Sequence, residues 1–196
     1  MTGLTFDAAR HEYAVDGRAL VSVTSALTEA GLIDARWFTE EAAIRGTAIH
    51  AAIARLHAGS LDVTALSPVL QPYVAAYQRF LRESGFTAEA SEEQVADVDL
   101  GAAGTLDLRG HLPRGTRASK AVDLIDVKTG AVPLWVGYQT AAYARMLPAD
   151  LPRLRWRWCL QLCPDGTYRL HPLTKATDER VFLAALTVAQ AKRGWL

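Results

Sequence analysis

Residues 121–130, Ala-Val-Asp-Leu-Ile-Asp-Val-Lys-Thr-Gly, are the strongest indication of the fold class of this chain. Its first seven residues are almost continuously apolar, which predicts a strand that is buried on both faces of a sheet. Thr129-Gly130 then predicts a turn. Residues two apart on a strand point to the same side, so we expect Asp126 and Lys128 to leave one face of this strand.

Two further predicted strands precede this stretch. Residues 93–98 alternate in the manner of a half-exposed strand, and residues 104–110 follow after a turn. These short connections favour antiparallel pairing among the three strands. A predicted helix at 133–146 leads to a fourth strand at 154–162, and a crossover through a helix favours parallel pairing with the third strand.

Helical patterns surround these strands, so we predict an α/β fold with a central mixed β-sheet flanked by helices. An N-terminal hairpin and a helical extension come before the sheet. The remaining predicted elements are a hairpin at 4–21, a helix at 22–30, helices at 34–57 with a break at Gly46, a helix from Ser67-Pro68 to Gly85, a strand at 168–171 and a helix from Asp178.

The length and composition suit one globular domain, since 50% of the 196 residues are hydrophobic and 21% are charged. We predict a single domain over 1–196, in which 1–33 form the hairpin and short helix and 34–196 form the core. No apolar run is long enough to cross a bilayer, and the first residues lack the pattern of a signal peptide. We therefore expect a cytoplasmic protein without a membrane partner.

The charge is unevenly distributed although the formal net charge is zero. Residues 1–100 hold 7 Lys/Arg and 14 Asp/Glu, whereas residues 101–196 hold 14 and 7. A basic C-terminal half can supply a phosphate-facing surface, although such asymmetry can also be incidental. The two cysteines, Cys159 and Cys163, favour a packing role. They are too few for a four-cysteine zinc or iron–sulfur site, so we expect no iron–sulfur cluster.

Asp107 changes the interpretation of Asp126 and Lys128. Alone, an Asp-x-Lys triplet at a strand end is commonly an ion pair that runs into a turn. Asp107 adds a carboxylate from the preceding strand, and two converging carboxylates repel each other unless a cation lies between them. Mg²⁺ prefers such oxygen ligands, and the Val127 carbonyl is a third candidate ligand. Lys128 could then orient or deprotonate a water and offset charge on a phosphate, which suits phosphodiester hydrolysis.

Two other positions carry groups suited to the same chemistry. His50 follows a predicted helix start at Gly46-Thr47 and is either a histidine of the core or a metal ligand. Gln139 and Tyr143 are four residues apart and share one face of the helix at 133–146. They form either a polar stripe or a pair that serves the site.

Several segments resemble the RecB-type branch of the PD-(D/E)XK nucleases. The resemblance covers roughly residues 6–145 and extends to stand-alone members often encoded by phages. It implies a restriction-endonuclease-like αβββαβ core and a metal-dependent DNA nuclease, more often an exonuclease, in DNA recombination, repair or phage DNA processing. The segments are Gly-Thr-Ala-Ile-His (46–50), Gly-Thr-Leu-Asp (104–107), Asp-Val-Lys-Thr-Gly (126–130), Gln-Thr-Ala-Ala-Tyr (139–143), and, near the start, Phe6-Asp7, His11-Glu12-Tyr13, Asp16-Gly17 and Ser22-Val23-Thr24.

The resemblance also implies roles for individual residues. Glu93 would hold a second metal or its water, with Glu92 as the competing candidate, and the strand register decides between them. Leu106 stands where the nominal proline of the superfamily would be, and Asp126 replaces the commoner Glu. The implied cofactor is Mg²⁺, for which Mn²⁺ substitutes. The implied metal ligands are His50, Asp107 and Asp126, the implied catalytic lysine is Lys128, and Gln139 and Tyr143 would support the site or contact the DNA backbone.

Candidate DNA contacts lie on a further strand and near His50. Arg153, Arg155 and Arg157 alternate with apolar residues, which gives the strand at 154–162 a basic face. This face is either a DNA-facing ladder or a solvated edge that blocks aggregation. Arg45 and Thr47 are the other candidate contacts.

DNA is therefore the expected partner, with a second copy of the chain or a recombination protein as a further candidate. Two other functions remain open from the sequence. One is a catalytically inactive nucleic-acid-binding module of the same fold, and the other is a nuclease that acts on RNA.

Overall fold

A computed structural model describes residues 3–7, 12–34, 39–114, 121–151 and 155–196. These residues form an eight-stranded mixed sheet flanked by five α-helices, which confirms the predicted fold class. The strands are β1 (Leu4–Asp7), β2 (Glu12–Val15), β3 (Arg18–Ser22), β4 (Thr87–Asp97), β5 (Ala102–His111), β6 (Val122–Lys128), β7 (Arg155–Leu162) and β8 (Tyr168–Pro172). The helices are α1 (Val23–Glu29), α2 (Glu40–His57), α3 (Gln71–Ser84), α4 (Trp135–Met146) and α5 (Asp178–Lys192).

The strand pairing follows the predicted topology in the centre of the sheet. The order is β1-β2-β3-β5-β6-β7-β8, and β4 pairs with β5. β4 and β6 each pair with β5 in antiparallel orientation, whereas β7 joins β6 in parallel after α4. β8 pairs with the other side of β7. β7 is therefore an interior strand, and the prediction that it could be a solvated edge is wrong.

β5 has an interrupted edge that places the site. β4 pairs with one edge of β5 from His111 to Ala102, so β3 and β6 share the opposite edge. β3 pairs with residues 102–103 of β5, and β6 pairs with residues 108–110. None of the described pairs joins residues 104–107 to either of these strands. The side chain of Asp107 and the groups around it therefore meet at a gap between two neighbouring strands.

The two faces of the sheet are covered by different helices. β6 alternates between them, since Leu124 packs with α1, α4 and α5, whereas Ile125 packs with α2 and α3. Six of the seven β6 residues are buried, as the apolar run predicts for a central strand. The end of β6 is thus held rigidly between two helical layers.

Two helices differ from their predicted bounds. α2 is one continuous helix from Glu40, where the Thr39 hydroxyl accepts a hydrogen bond from the Ala42 amide, and Gly46 does not break it. Glycine disfavours a helix by only about 1 kcal/mol, and the buried Ile49 and Ile53 outweigh that. α3 begins at Gln71 rather than at Ser67-Pro68. Within the described ranges, no helix has the length and hydropathy needed to cross a membrane.

Candidate active site

The gap in the sheet is bridged by the side chain of Asp107. The backbone ladder between β5 and β6 stops at the pair Leu108 and Ile125. One residue further, Oδ2 of Asp107 accepts a hydrogen bond of 2.7 Å from the Val127 amide. A side chain therefore replaces the backbone partner that β5 would otherwise give to β6. This contact fixes the Asp107 carboxylate beside the end of β6, as the pattern of the two strands predicts.

Asp126 is a buried carboxylate whose close partner is Lys128. The residue is 2% exposed, and the Lys128 ammonium lies 2.6 Å from Oδ2 in a charge-assisted contact. Among the described residues, none donates a hydrogen bond to Oδ1. Burial raises the pKa of Asp126 to about 6, and the nearby Asp107 carboxylate adds to the rise, while Lys128 opposes it.

Lys128 lies close to two carboxylates and to an aromatic ring. Burial lowers its pKa, but attraction to Asp126 and Asp107 is larger in sum, so the pKa of the ammonium is raised. The nitrogen also lies 5.2 Å from the ring centroid of Trp135, at the start of α4. These contacts favour the protonated ammonium. Trp135 lies within the helix predicted at 133–146, where the sequence alone leaves open whether it stacks on nucleic-acid bases or packs against the protein.

His50 joins the carboxylates from the side of α2. Its Nδ1 lies 3.2 Å from Oε1 of Glu92 and 3.5 Å from Oδ1 of Asp107, and its Nε2 lies 3.2 Å from the Val127 carbonyl oxygen. The Asp107 carboxylate is the largest cause that raises the pKa of His50, to about 9, against the opposing effect of burial. A protonated ring donates to acceptors on both sides, so the imidazolium carries the positive charge among these oxygens.

Glu92, rather than Glu93, lies in this cluster. The Glu93 carboxylate is instead paired with Arg109, at 2.7 Å from Nε and 3.2 Å from Nη2. Of the two glutamates that the sequence offered, Glu92 is therefore the one that lies beside His50. Glu92 has a φ of +53° in the middle of β4, which is costly for a residue with a Cβ, by about 1–2 kcal/mol. Regular alternation along a strand could not have indicated this, because the backbone departs from it at Glu92.

Gln139 and Tyr143 close the site from α4. Nε2 of Gln139 donates a hydrogen bond of 3.0 Å to the Tyr143 hydroxyl, and both side chains are buried. Burial raises the pKa of the Tyr143 hydroxyl well above its ordinary value. The ring lies against Gly104 so closely that a Cβ there would be 2.6 Å from Cε1 of Tyr143. Because Gly104 has no side chain, the ring of Tyr143 has room to pack against β5 at the gap.

Tyr13 reaches the same gap from the N-terminal hairpin. Its hydroxyl and the hydroxyl of Thr105 are 2.8 Å apart, and Phe6 stacks on its ring with centroids 4.5 Å apart. Tyr13 was noted only as part of the resembling opening segment, and no role was predicted for it. Only the three-dimensional arrangement shows that β2 borders the gap in β5.

Arg45 and Thr47 lie on α2 before His50. Nε of Arg45 donates a hydrogen bond of 3.4 Å to the hydroxyl of Thr129, which follows Lys128, and its guanidinium lies over the Tyr73 ring. Thr47 is exposed one helical turn before His50. Both candidate DNA contacts are therefore near the end of β6, and their contact with DNA stays a prediction.

The β7 arginines do not form an outward ladder. Arg155 donates hydrogen bonds to the carbonyls of Ala144, Leu147 and Pro148 at the end of α4. Arg157 donates to the Gly137 carbonyl at 2.7 Å and to Asp178 at 3.0 Å. The third arginine of the predicted set, Arg153, lies outside the described residues.

A groove of about 450 Å³ borders these arginines, but it is separate from the cluster around Asp107. Its lining includes no predicted metal ligand and not Lys128. The candidate catalytic groups therefore lie in the polar cluster around Asp107 and not in this groove. The groove is lined by Ala141, Ala144, Arg145, Arg155, Arg157, Lys175, Ala176 and Glu179.

The donor set fits a divalent cation. One ligand atom from each of His50, Glu92 and Asp107 can be chosen such that all three lie within 4.8 Å of one another. The Val127 carbonyl, 3.2 Å from Nε2 of His50, supplies a further oxygen, and the Asp126 carboxylate, which is outside this group of three, interacts electrostatically with Asp107 and His50. Hard divalent cations take such carboxylate and carbonyl oxygens, and an imidazole is compatible with Mn²⁺. Lys128 and the protonated His50 offset the negative charge of these carboxylates, and a bound cation would take the place of the His50 proton.

Comparison with solved structures finds the same architecture in a protein from Eubacterium rectale that is provisionally assigned as an exonuclease. The TM-score is 0.58 at 11% sequence identity, over 90% of this chain and 82% of that chain. The two chains share a fold. At this identity the likeness extends to the fold and not to the activity.

Two weaker structural matches are of LHK-Exo, an alkaline exonuclease from Laribacter hongkongensis. The structure with dAMP has a TM-score of 0.37 at 16% identity, over 90% of both chains. The other has a TM-score of 0.35 at 16% identity, over 89% of this chain and 92% of that chain. No family model and no curated protein sequence matches the chain.

Proposed function

We propose that the protein is a nuclease of the PD-(D/E)XK kind, in its RecB-type branch, that hydrolyses DNA with a divalent metal ion. The observation that carries the proposal is the group of His50, Glu92 and Asp107, whose ligand atoms lie within 4.8 Å of one another, with the buried Asp126–Lys128 pair at the adjoining end of β6. An imidazole and carboxylates that converge in this way suit a divalent cation, which would join residues from α2, β4 and β5.

In this proposal His50, Asp107, Asp126 and the Val127 carbonyl hold Mg²⁺ or Mn²⁺, and Glu92 provides a further carboxylate. A bound divalent ion supplies Lewis-acid stabilisation of a phosphate and lowers the pKa of water. The acceptors are already positioned by secondary structure, because Asp107 is fixed by the Val127 amide and His50 by its helix. Binding the ion would replace the proton that His50 otherwise holds among these oxygens.

Lys128 has the role of an electrostatic group at the scissile phosphate. Its ammonium can donate hydrogen bonds to a water or to a phosphate oxygen and offset the negative charge that develops there. Its contacts with Asp126 and Trp135 fix the long side chain before the substrate arrives, which reduces the entropy lost on binding. Gln139 and Tyr143 support this arrangement from α4 or contact the DNA backbone.

DNA is the proposed substrate, and cleavage from an end is the proposed mode. Support for this comes from the resemblance of the site segments to RecB-type nucleases and from the fold shared with a provisionally assigned exonuclease. The same resemblance leads us to propose one nuclease domain over 1–196, acting in the cytoplasm in DNA recombination, repair or phage DNA processing. A second copy of the chain or a recombination protein is the proposed partner.

The direct test is cleavage of end-labelled linear DNA and of closed circular DNA, with Mg²⁺, with Mn²⁺ and with chelator. We expect the linear DNA to be shortened from its ends in the presence of metal and the circular DNA to persist. Lys128→Ala should abolish cleavage. Lys175→Ala is the matched control, because Lys175 is exposed and lies outside the site, and it should retain activity.

The same assay separates the other functions. Cleavage of closed circles would exclude a purely exonucleolytic mode, and preferential cleavage of RNA in a competition experiment would replace DNA as the substrate. DNA binding without cleavage under every metal condition would identify an inactive binding module. Full activity of Lys128→Ala would refute the proposed mechanism.

A further inference from the structure

Two consecutive glutamates on β4 reach groups on the same face of β5. Asp107 and Arg109 are two residues apart on β5, where alternate residues are buried in regular order, so they share a face. Glu93 pairs with Arg109, and Glu92 pairs with His50, which itself contacts Asp107. In a regular strand, neighbouring residues point to opposite faces. Here the backbone at Glu92 is left-handed and so departs from the regular strand, which allows Glu92 and Glu93 to reach the same face.

Arg109 anchors β4 on both sides of this departure. Its side chain is 13% exposed and makes two hydrogen bonds to Glu93. It also donates a hydrogen bond of 2.5 Å from Nη1 to Glu89, and the Nε2 of His111 lies 2.9 Å from the other oxygen of Glu89. A planar guanidinium that binds two carboxylates of one strand fixes their spacing. The segment between the anchors, which contains Glu92, therefore has little freedom to relax to a regular strand.

A left-handed conformation at a residue with a Cβ persists only where its surroundings enforce it, and such residues cluster at functional sites. The other described residue of this kind, Asp16, lies in a turn between β2 and β3. Glu92 is different because it lies within a paired strand, between the register pairs Ser91 with Leu108 and Glu93 with Leu106. Its conformation has no role in turning the chain.

We propose that Arg109 and Glu93 are positioning residues that hold Glu92 in its left-handed conformation and so aim its carboxylate at the metal site. The inference rests on the proposed function and adds a part that the resemblance does not supply. Arg109 touches neither His50 nor Asp107 through any described hydrogen bond, so its effect on the metal passes through Glu92. Glu93, predicted as a ligand, instead sets the position of its neighbour.

The test is a double-mutant cycle on Mn²⁺ affinity, measured by calorimetry without DNA. The single variants are Glu92→Gln, which removes the aimed charge, and Arg109→Lys, which keeps the positive charge but loses the two-pronged geometry. We expect each to weaken Mn²⁺ binding by about 10-fold, as is typical for groups that support a metal site. The double variant should be no weaker than Glu92→Gln alone, because the effect of Arg109 passes through Glu92.

Arg79→Lys is the matched control, since Arg79 and Glu83 form an exposed ion pair on α3, and its Mn²⁺ affinity should be unchanged. Thermal unfolding without metal reports folding, and Glu93→Gln takes the place of Arg109→Lys if that variant does not fold. Unchanged Mn²⁺ affinity in Arg109→Lys, or single effects that multiply in the double variant, would overturn the positioning role while the nuclease proposal stands. Failure of the unmodified protein to bind Mn²⁺ would overturn the nuclease proposal and this inference together.

Discussion

Asp123 and Asp126 lie three residues apart on β6 and are both buried, but their carboxylates have opposite surroundings. Asp123 accepts hydrogen bonds from the Leu112 amide at 2.8 Å, from the indole of Trp158 at 2.7 Å and from the guanidinium of Arg114. Asp126 has the Lys128 ammonium 2.6 Å from Oδ2, and among the described residues its Oδ1 has no donor. One strand thus carries a carboxylate with donors at both oxygens at its beginning and one with a single ion-pair partner at its end.

The difference separates a structural carboxylate from a functional one. Removing a partner from a satisfied buried charge leaves an unpaired group and destabilises the fold. Burial opposes the ionisation of Asp126 more than Lys128 favours it, so this carboxylate contributes less to stability than Asp123. The contrast predicts that substitutions at Asp123 act on stability, whereas substitutions at Asp126 act on metal binding and catalysis.

The largest expected effect is the loss of activity in Asp126→Asn. We expect the cleavage rate to fall by about 10³-fold, the order seen when a group that stabilises developing charge is removed. The free energy of unfolding without metal should not fall as it does in Asp123→Asn, because burial already disfavours the ionised Asp126 carboxylate and the neutral amide avoids that cost. Initial cleavage rates and urea unfolding measure the two quantities. A strongly destabilised variant would mean that Asp126 is structural.

Asp123→Asn, at the other end of β6, should reduce stability and leave the cleavage rate unchanged. We expect the free energy of unfolding to fall by about 2–3 kcal/mol, somewhat less than for a fully buried pair because Arg114 is partly exposed. Urea unfolding measures this loss, and the folded fraction should keep its cleavage rate at a temperature below the transition. Normal stability in this variant would remove the contrast between the two aspartates.

Removal of the metal ion tests the contrast between Asp123 and Asp126 through the stability of the fold. At a Mn²⁺ concentration of 100 times the Kd, the folded protein should gain about 2.7 kcal/mol over the chelated form, because the ion binds only the folded state. The shift should persist in Asp123→Asn and be much smaller in Asp126→Asn. Thermal unfolding with Mn²⁺ and with chelator measures it. An equal shift in both variants would place the ion elsewhere.

A smaller effect is expected from pH. The pKa of His50 is raised to about 9 in the metal-free fold, so its protonation stabilises the fold below the ordinary value of 6.5 and this stabilisation is lost as the pH rises through 9. The pKa of Asp126 is raised to about 6, so ionisation of this group disfavours the fold as the pH rises from 3.8 through 6. Metal binding displaces the His50 proton, and Mn²⁺ affinity should rise by up to about tenfold per pH unit between 6.5 and 9.

The variant His50→Gln tests whether His50 causes this pH dependence, because it removes the proton that competes with the metal ion. Its Mn²⁺ affinity, followed by calorimetry from pH 6.5 to 9, should be weaker overall and nearly independent of pH. A slope equal to that of the unmodified protein would assign the titration to another group.

The central sheet could be predicted from local patterns because its period and its connections are local properties. The apolar run before Asp126 indicated a buried strand, and the helix between 133 and 146 indicated the parallel crossover to β7. The convergence of Asp107, Asp126 and Lys128 followed from the same periodicity. The continuous α2 and the later start of α3 were not predicted, because packing against the sheet outweighs the weak preferences of single residues such as Gly46.

Some site residues could not be predicted because their positions depend on other elements. The selection of Glu92 over Glu93 requires a left-handed residue inside a strand, together with an arginine on the neighbouring strand. Arg155 and Arg157 have the alternation of an exposed ladder, yet helix ends from α4 and α5 cover them. Alternation identifies the face of a strand but not the element that packs on it.

Local periodicity was enough to place two carboxylates and a lysine on adjacent strands, Asp107 within β5 and Asp126 and Lys128 at the end of β6, since side-chain direction follows from the period of the backbone. Which further groups complete the cluster depends on how the helices and the N-terminal hairpin pack around the sheet. β3 and β6 share one edge of β5 and leave residues 104–107 unpaired by either, and His50, Tyr13 and Tyr143 enter around that gap from α2, β2 and α4. Such contacts join residues up to 92 positions apart in the chain, as between Tyr13 and Thr105, and packing rather than local periodicity brings them together.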